Sequence, residues 1–415
     1  MTSTPELERN LRPLTEAEAE VYIAAACFRT GAVGAVGLEL EHIVHDANDP
    51  ARQIPVAEVR SAMHGVEILP DGGIISYEPG GQLEVSTACA PDLHTLFAAT
   101  RADLAVVDSL MAEAGLTFSP LAMDSVRLPV RSLHQPRYAA MEDYFNRLGP
   151  AGQAMMCSTA SLQICIDAGL DGDGDGSAAQ RWARLHNLTP VLVALFANSP
   201  FRYGVPSGWR STRQAVWSGI DPTRSGPVPN SVSPPEAWTR YAMDAFVLCI
   251  RNDQGSWAAP PGLRMRDWLR GAGPRPATLR DLEYHLTTLF PHVRPRGFLE
   301  LRVIDAQPAD GWEAAAVITA ALIEDQQASD RAAEACAELD RLDDPMETAA
   351  RDAMSDPTLA AAGSASISAA LDGLERMGID GATRAKAEAF AEQYTWRGRC
   401  PADERLRRWR QTGIL

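Results

Sequence analysis

Tyr77-Glu78-Pro79-Gly80-Gly81-Gln82-Leu83-Glu84-Val85-Ser86 is the stretch from which the architecture can be read. It follows Gly72-Gly73-Ile74-Ile75-Ser76, so it reads as a strand, a tight Pro-Gly-Gly turn and a second strand. Past the turn, Gln82, Glu84 and Ser86 fall on one strand face, and Leu83 and Val85 on the other. The apolar face has an ordinary reason, a core to pack on. The polar face gains meaning because the pattern recurs three times. Leu38-Glu39-Leu40-Glu41-His42 sets Glu39 and Glu41 opposite Leu38 and Leu40. The run from Ser158 to Asp167 places Ser161, Gln163, Cys165 and Asp167 together. Gly297 to Asp305 places Glu300 beside Arg302.

The rest of the chain sets bounds on the answer. A chain of 415 residues, 46% apolar and 22% charged, can bury a large core as one big domain or two moderate ones. The net charge of −16 argues against nucleic acid or an anionic membrane as partner, since both reward a basic surface. Seven scattered cysteines with no CxxC pair suit neither a disulfide framework nor a zinc knuckle. The N-terminus lacks a basic segment followed by an apolar run, and no stretch reaches the roughly 18 apolar residues of a spanning helix. The expectation is a soluble, cytoplasmic monomer.

Helices are expected from Thr15 (a cap, with Glu18 completing a capping box) to about Phe28, and over residues 50–64. Others follow from Pro91 to about Ala114, from Gln135 to Leu148, over 177–198, over 279–290, and through most of the alanine-rich region after Trp312. Phe246-Val247-Leu248 reads as a short strand. Gly31, Gly34 and Gly37 lead into a strand rather than a helix and match no phosphate-binding fingerprint. Asp171-Gly-Asp173-Gly-Asp175-Gly176 suggests a calcium loop, but Trp182 stands where the closing Glu belongs, so it reads as an acidic turn. Residues 200–226 form a long loop rich in Arg and Trp, of the kind that carries function in a compact domain.

Gathered on one sheet, the four strands present Glu39, Glu41, Glu84, Gln163 and Glu300, with Arg302 beside them. Like charges about 7 Å apart repel by roughly 2 kcal/mol per pair at an effective dielectric near 20. Such a face needs raised pKa values, arginines or bound cations. Oxygen donors with few histidines point to Mg²⁺ or Mn²⁺ rather than zinc, and Mg²⁺ typically bridges carboxylates to phosphates. The Arg-rich loop could hold phosphate or carboxylate groups through paired N–H donors. Each piece alone has a plainer reading: a solvated edge for the Glu-x-Glu, a structural ion pair for Glu300 and Arg302, loop packing for Trp209 and Trp217. Together they read as metal, polyphosphate and an acidic substrate.

The stretches GLELEH, ISYEPGGQLEVS, CSTASLQICID, SPFRYGVPSGWRSTRQAVWSGIDPTRSG and GFLELRVIDAQP resemble, in order, the plant- and proteobacterial-type glutamate–cysteine ligases. The actinobacterial branch feeding ergothioneine biosynthesis is the nearest in kind. The resemblance covers roughly residues 35 to 310. It implies an α+β, glutamine-synthetase-like catalytic fold over residues 1–310: a curved antiparallel sheet with helices on its convex side. A helical C-terminal region, 311–415, is expected to pack on the same domain. The implied reaction is ATP-dependent: the γ-carboxylate of L-glutamate is phosphorylated and the amine of L-cysteine attacks the acyl phosphate. By the same resemblance, Glu39, Glu41, Glu84 and Glu300 match acidic metal ligands, and Gln163 stands where relatives have His or Gln. Arg213 and Arg302 match arginines near the glutamate carboxylates and the transferring phosphoryl group. Arg224, Trp217 and Gln82 are expected at the substrates, and Cys165 takes a place where relatives often carry Asn. The alternatives are a ligase using another amine, and a catalytically silent protein that binds Mg-nucleotide.

Overall fold

The computed structural model describes residues 12–31, 33–229 and 232–415. The expectation about an N-terminal leader falls on residues 1–11, outside the described residues. Among the described residues ten strands follow in chain order: β1 (Val36–His42), β2 (Val44–Asp46), β3 (Ile74–Tyr77), β4 (Leu83–Ser86), β5 (Leu116–Phe118), β6 (Ser161–Asp167), β7 (Phe201–Arg202), β8 (Val205–Pro206), β9 (Val293–Pro295) and β10 (Phe298–Asp305). Six of them make one sheet, ordered β3-β4-β1-β6-β10-β9. Every neighbouring pair in it is antiparallel. The four alternating strands are therefore adjacent, and their register brings the polar residues together: Glu41 opposite Glu84, Glu39 opposite Gln163, Glu300 opposite Cys165.

The two faces of this sheet have different company. Leu38, Leu40, Leu162, Ile164, Ile166, Leu299 and Leu301 join a large buried cluster with Leu188, Leu192 and Leu195 of the helix Ala178–Phe196. Ala316, Ile318 and Leu322 of the helix Gly311–Glu324 belong to the same cluster, so the C-terminal helices share the core of the catalytic strands. On the polar side stands a smaller cluster. It comes from the helices Pro136–Asn146, Ala151–Ser158 and Thr212–Ser218 and includes Met141, Phe145, Met155, Met156 and Val216. The fold is thus α+β, with an antiparallel sheet buried under helices on its apolar face. Among the described residues no helix is long and apolar enough to cross a membrane.

The Pro-Gly-Gly turn is held in place by close approach. A Cβ on Gly80 would lie 2.3 Å from the carbonyl oxygen of Cys157, and Gly81 has φ +93°, a conformation that suits glycine. Gln82 completes the anchor: its Nε2 donates to the carbonyls of Met156 (3.3 Å) and Thr159 (2.9 Å), and its Oε1 accepts from the Gly80 N–H.

Local expectations hold unevenly. Thr15 and Glu18 do form a capping box, on the helix Glu16–Cys27. The region 200–226 is not a loop: it contains the β7–β8 hairpin and the short helices Thr212–Ser218 and Pro222–Ser225, capped by Ser211 and Asp221. Phe246 makes one isolated bridge to Arg264 rather than starting a strand. Ser158 ends a helix, so the third alternating strand begins at Ser161.

Candidate active site

A cavity of about 570 Å³ opens on the polar face of the sheet. Glu39, Glu41, Glu84 and Gln163 rise from β1, β4 and β6 to form its floor, and Glu78 joins them from just beyond β3. Met155, Met156, Trp217 and Phe290 contribute an apolar wall; Arg137, Arg294, Arg296 and Arg302 stand around it. Sequence reading passed over Glu78, Arg137, Arg294 and Arg296. For Glu78 a signal existed. Ser76 pairs with Glu84, so the alternation that exposes Glu84 continues backwards through Ser76 to Glu78.

The floor carboxylates are electrostatically frustrated. Burial, with Glu300 and Glu84 nearby, pushes Glu39 up to about 7. Burial, with Glu84 and Glu41, pushes Glu78 up to about 8. Glu41 and Glu84 are raised chiefly by burial as well. Partners are few. Glu41 accepts from the Ser161 N–H (2.7 Å) and from Gln163 Nε2 (3.0 Å), and Glu84 accepts from Ser76 Oγ (2.7 Å) and Ser86 Oγ (3.2 Å). Hydrogen bonds from neutral groups stabilise a carboxylate less than a positive charge does. Among the described residues no cationic side chain lies within ion-pair distance of Glu39, Glu41, Glu78 or Glu84.

Glu300 is the opposite case. It is 0% exposed, and both its oxygens are taken by guanidiniums. Oε2 accepts from Arg294 Nε (2.5 Å) and Arg302 Nη1 (3.0 Å); Oε1 accepts from Arg294 Nη2 (2.9 Å) and Arg296 Nη1 (3.3 Å). Burial alone would push Glu300 up, but Arg294, Arg302 and Arg296 together hold it well below the usual carboxylate range. Glu300 is thus the anion at the centre of an arginine cluster. It remains close to the floor, since ligand atoms of Glu39, Cys165 and Glu300 lie within 4.8 Å of one another. Gln163 is similarly committed, its Oε1 accepting from Arg302 and its Nε2 donating to Glu41.

The other expected residues divide. Arg302 and Trp217 line the cavity, and the guanidiniums of Arg302 and Arg213 both lie over the Trp217 ring, 5.8 Å from its centroid. Gln82 is at the wall but buried, engaged as described above. Arg213 does not line the cavity. It borders a pinched space of about 10 Å³ with Trp217, Phe290 and Arg302, and its guanidinium donates to backbone carbonyls of β10. Arg224 is not at the cavity either. Its guanidinium is fully buried against Asp221 (3.0 Å) and the carbonyls of Thr288 (2.7 Å) and Phe246 (2.6 Å), a clamp on the polypeptide rather than a substrate contact.

The donor set suits a hard divalent cation. Glu39, Glu41, Glu78 and Glu84 present only oxygen, and burial, with like charges adding to it at Glu39, Glu78 and Glu84, disfavours their charged forms until a cation joins them. What the arrangement can do chemically is bring a polyanion, through a cation, onto a surface that would otherwise repel it, with arginines at the rim to meet its remaining charge.

Comparison with known proteins agrees with this chemistry. The family model described as Glutamate-cysteine ligase family 2 (GCS2) matches residues 35–414. That match runs about a hundred residues beyond position 310, where the resemblance read from motifs stops. "Glutamate--cysteine ligase EgtA" of Mycobacterium tuberculosis is 38% identical over 347 residues, spanning 81% of this chain and 79% of the relative. The protein of the same name from Mycolicibacterium smegmatis is 38% identical over 77% of this chain and 76% of its own length. The chloroplastic glutamate–cysteine ligase of Brassica juncea is 30% identical over 71% of this chain and 61% of its own. Among solved structures, glutamate–cysteine ligase of Francisella tularensis in complex with AMP superposes with a TM-score of 0.55 at 11% identity, over 93% of this chain and 86% of that one. A bifunctional glutathione synthetase from Pasteurella multocida gives 0.56 at 15% identity; 96% of this chain spans about half, 52%, of that longer protein. At those identities the likeness is one of fold.

Proposed function

Because the chain belongs to glutamate–cysteine ligase family 2 and is a ligase of that kind, we propose that it joins the γ-carboxyl of L-glutamate to the amine of L-cysteine, with ATP yielding ADP and phosphate. The observation that carries this reading is the pairing of four carboxylates that have no cationic partner among the described residues with arginines around the same cavity. Phosphoryl transfer asks for neutralisation and alignment more than for a nucleophilic side chain.

In this reading Glu39, Glu41, Glu84 and Glu300, with Gln163 and also Glu78 beside them, would hold Mg²⁺ or Mn²⁺, which when bound neutralises ATP phosphates and the floor together. Arg302 is aimed at the phosphoryl group as it moves to the γ-carboxylate. Only its Nη1 has partners among the described residues, so its other donors remain for an anion. Arg137 and Arg296 are placed to receive substrate carboxylates. Met141, Met155 and Met156 form a polarizable apolar patch suited to a small sulfur-bearing acceptor side chain. The chemistry then runs between substrates: a γ-carboxylate oxygen attacks the terminal phosphorus, ADP leaves, the cysteine amine attacks the acyl carbon, and phosphate departs with that oxygen.

Residues 1–310 are taken as the catalytic part and 311–415 as helical support within the same domain, which the shared core favours. The product entering ergothioneine synthesis is consistent with the mycobacterial relatives' name. A reducing cytoplasm suits seven cysteines with no disulfide. The test is ADP release by the purified protein with Mg-ATP and glutamate, with and without cysteine. Cysteine-dependent release is expected. Release that needs a different amine would move the acceptor and keep the site, and no release under any amine would contradict the reading.

A further inference from the structure

β10 is not a regular strand. Leu301 stands opposite Ile164 and Ile304 opposite Leu162, so three steps on β10 match two on β6. The extra residue is a bulge at Arg302–Val303, and it changes which side each later residue faces. Glu300 and Arg302 point to the polar face, yet Ile304 returns to the core and Asp305 comes opposite Ser161 on the polar side. In an unbroken strand Asp305 would share the face of Leu299 and Leu301.

A bulge takes carbonyls out of the ladder, and buried carbonyls need donors. Here the helix Thr212–Ser218 supplies them. Arg213 Nη2 donates to the Arg302 carbonyl at 2.8 Å and Nη1 to the Val303 carbonyl at 3.4 Å, while Gln214 Nε2 donates to Val303 at 2.7 Å. That helix is seated in turn by Asp305. Its Oδ1 accepts from Oγ of Ser211, the helix cap, at 2.9 Å. Its Oδ2 accepts from Ser199 Oγ at 2.7 Å and the Asn198 N–H at 2.8 Å, and Arg213 Nη1 lies 3.7 Å from Oδ1. Asp305, Arg213 and Gln214 are all buried. Arg302 has a buried Nε with no partner among the described residues; Gln163 and Glu300 hold its Nη1, and the backbone at the bulge sets where the side chain starts.

We propose that Gln214 and Asp305 are positioning residues for the ligase reaction: they fix the bulge in β10 and so aim the Arg302 guanidinium into the cavity. This rests on the reading of Arg302 as the group that meets the transferring phosphoryl. An interaction made only in the transition state shows in kcat rather than in KM, and misplacement of such a group by an ångström is costly.

The experiment is a double-mutant cycle on the full chain. Gln214→Leu is expected to lower kcat roughly tenfold or more while the KM for ATP and glutamate stays within about twofold. In an Arg302→Lys background, itself strongly impaired, the same substitution is expected to cost almost nothing further, because the group it positions is already lost. A merely structural role would cost the same factor in both backgrounds, and that result, or wild-type kcat in Gln214→Leu, overturns the proposal. Asp305→Asn is put through the same cycle, with thermal melting of each variant, and supplies the answer if Gln214→Leu does not fold. Wild-type kcat in Arg302→Lys would remove the reading of Arg302 as well; impaired Arg302→Lys with equal factors removes the positioning role alone.

Discussion

Glu39→Gln is expected to cut cysteine-dependent ADP release by about 10³-fold and to leave the protein folded. Glu39 is one of four floor carboxylates without a cationic partner among the described residues, and its charge is held at a cost: burial beside Glu300 and Glu84 raises it to about 7. An amide of the same shape removes that cost together with the negative charge that would hold a cation. Losing a metal that supplies several kcal/mol of transition-state stabilisation lowers the rate by about 10³-fold. The stability effect has a definite sign. A carboxyl raised from about 4.5 to about 7 takes up a proton on folding. Its contribution to stability is therefore fully present below about pH 4.5 and is lost as pH rises through about 7. Without metal, Glu39→Gln should melt with wild type at pH 4 and above it at pH 8. Turnover near wild type, or a melting deficit that grows with pH, would contradict the assignment of the floor.

Glu300→Ala is expected to fail differently, by unfolding. Removing this carboxylate leaves Arg294, Arg302 and Arg296 facing one another without their common anion, with Glu300 fully buried and Arg294 nearly so. Breaking a buried ion pair by deleting one partner costs about 3–5 kcal/mol. Urea unfolding should show that loss, with the midpoint shifted well below wild type. Glu84→Ala, on the same face, should lose activity with an unchanged midpoint. Equal stability of Glu300→Ala and wild type would mean that the arginine cluster is not what Glu300 serves.

The contrast between Glu39 and Glu300 marks how far sequence reading reaches. Alternation along β1, β4, β6 and β10 places Glu39, Glu41, Glu84, Gln163, Glu300 and Arg302 on one face, because a strand's two-residue period is a local property. Pairing order and register are not local. That Glu41 stands opposite Glu84, or Arg294 opposite Glu300, follows from which strands meet, and Arg294 sits on a three-residue strand with no period to read. Glu78 was within reach by following the alternation back across the turn. Arg213 and Arg224 were not: whether a guanidinium meets a substrate or a carbonyl depends on distant partners, here Val303 and Thr288. The helix Ala151–Ser158 escaped because AGQAMMCS offers neither a side-chain cap nor an apolar stripe, and Gly152 is there to clear Phe145. The bulge at Arg302–Val303 shows in FLELRVID only at its end, where Ile304 and Asp305 break the alternation of Glu300 and Arg302.

The most direct test of the central claim follows oxygen. L-glutamate carrying ¹⁸O in its γ-carboxylate is turned over with Mg-ATP and L-cysteine, and the released phosphate and dipeptide are weighed by mass spectrometry. If the cavity transfers a phosphoryl group to the γ-carboxylate, each turnover moves one ¹⁸O into phosphate and leaves one in γ-glutamylcysteine. Phosphate free of ¹⁸O alongside dipeptide formation would contradict the account.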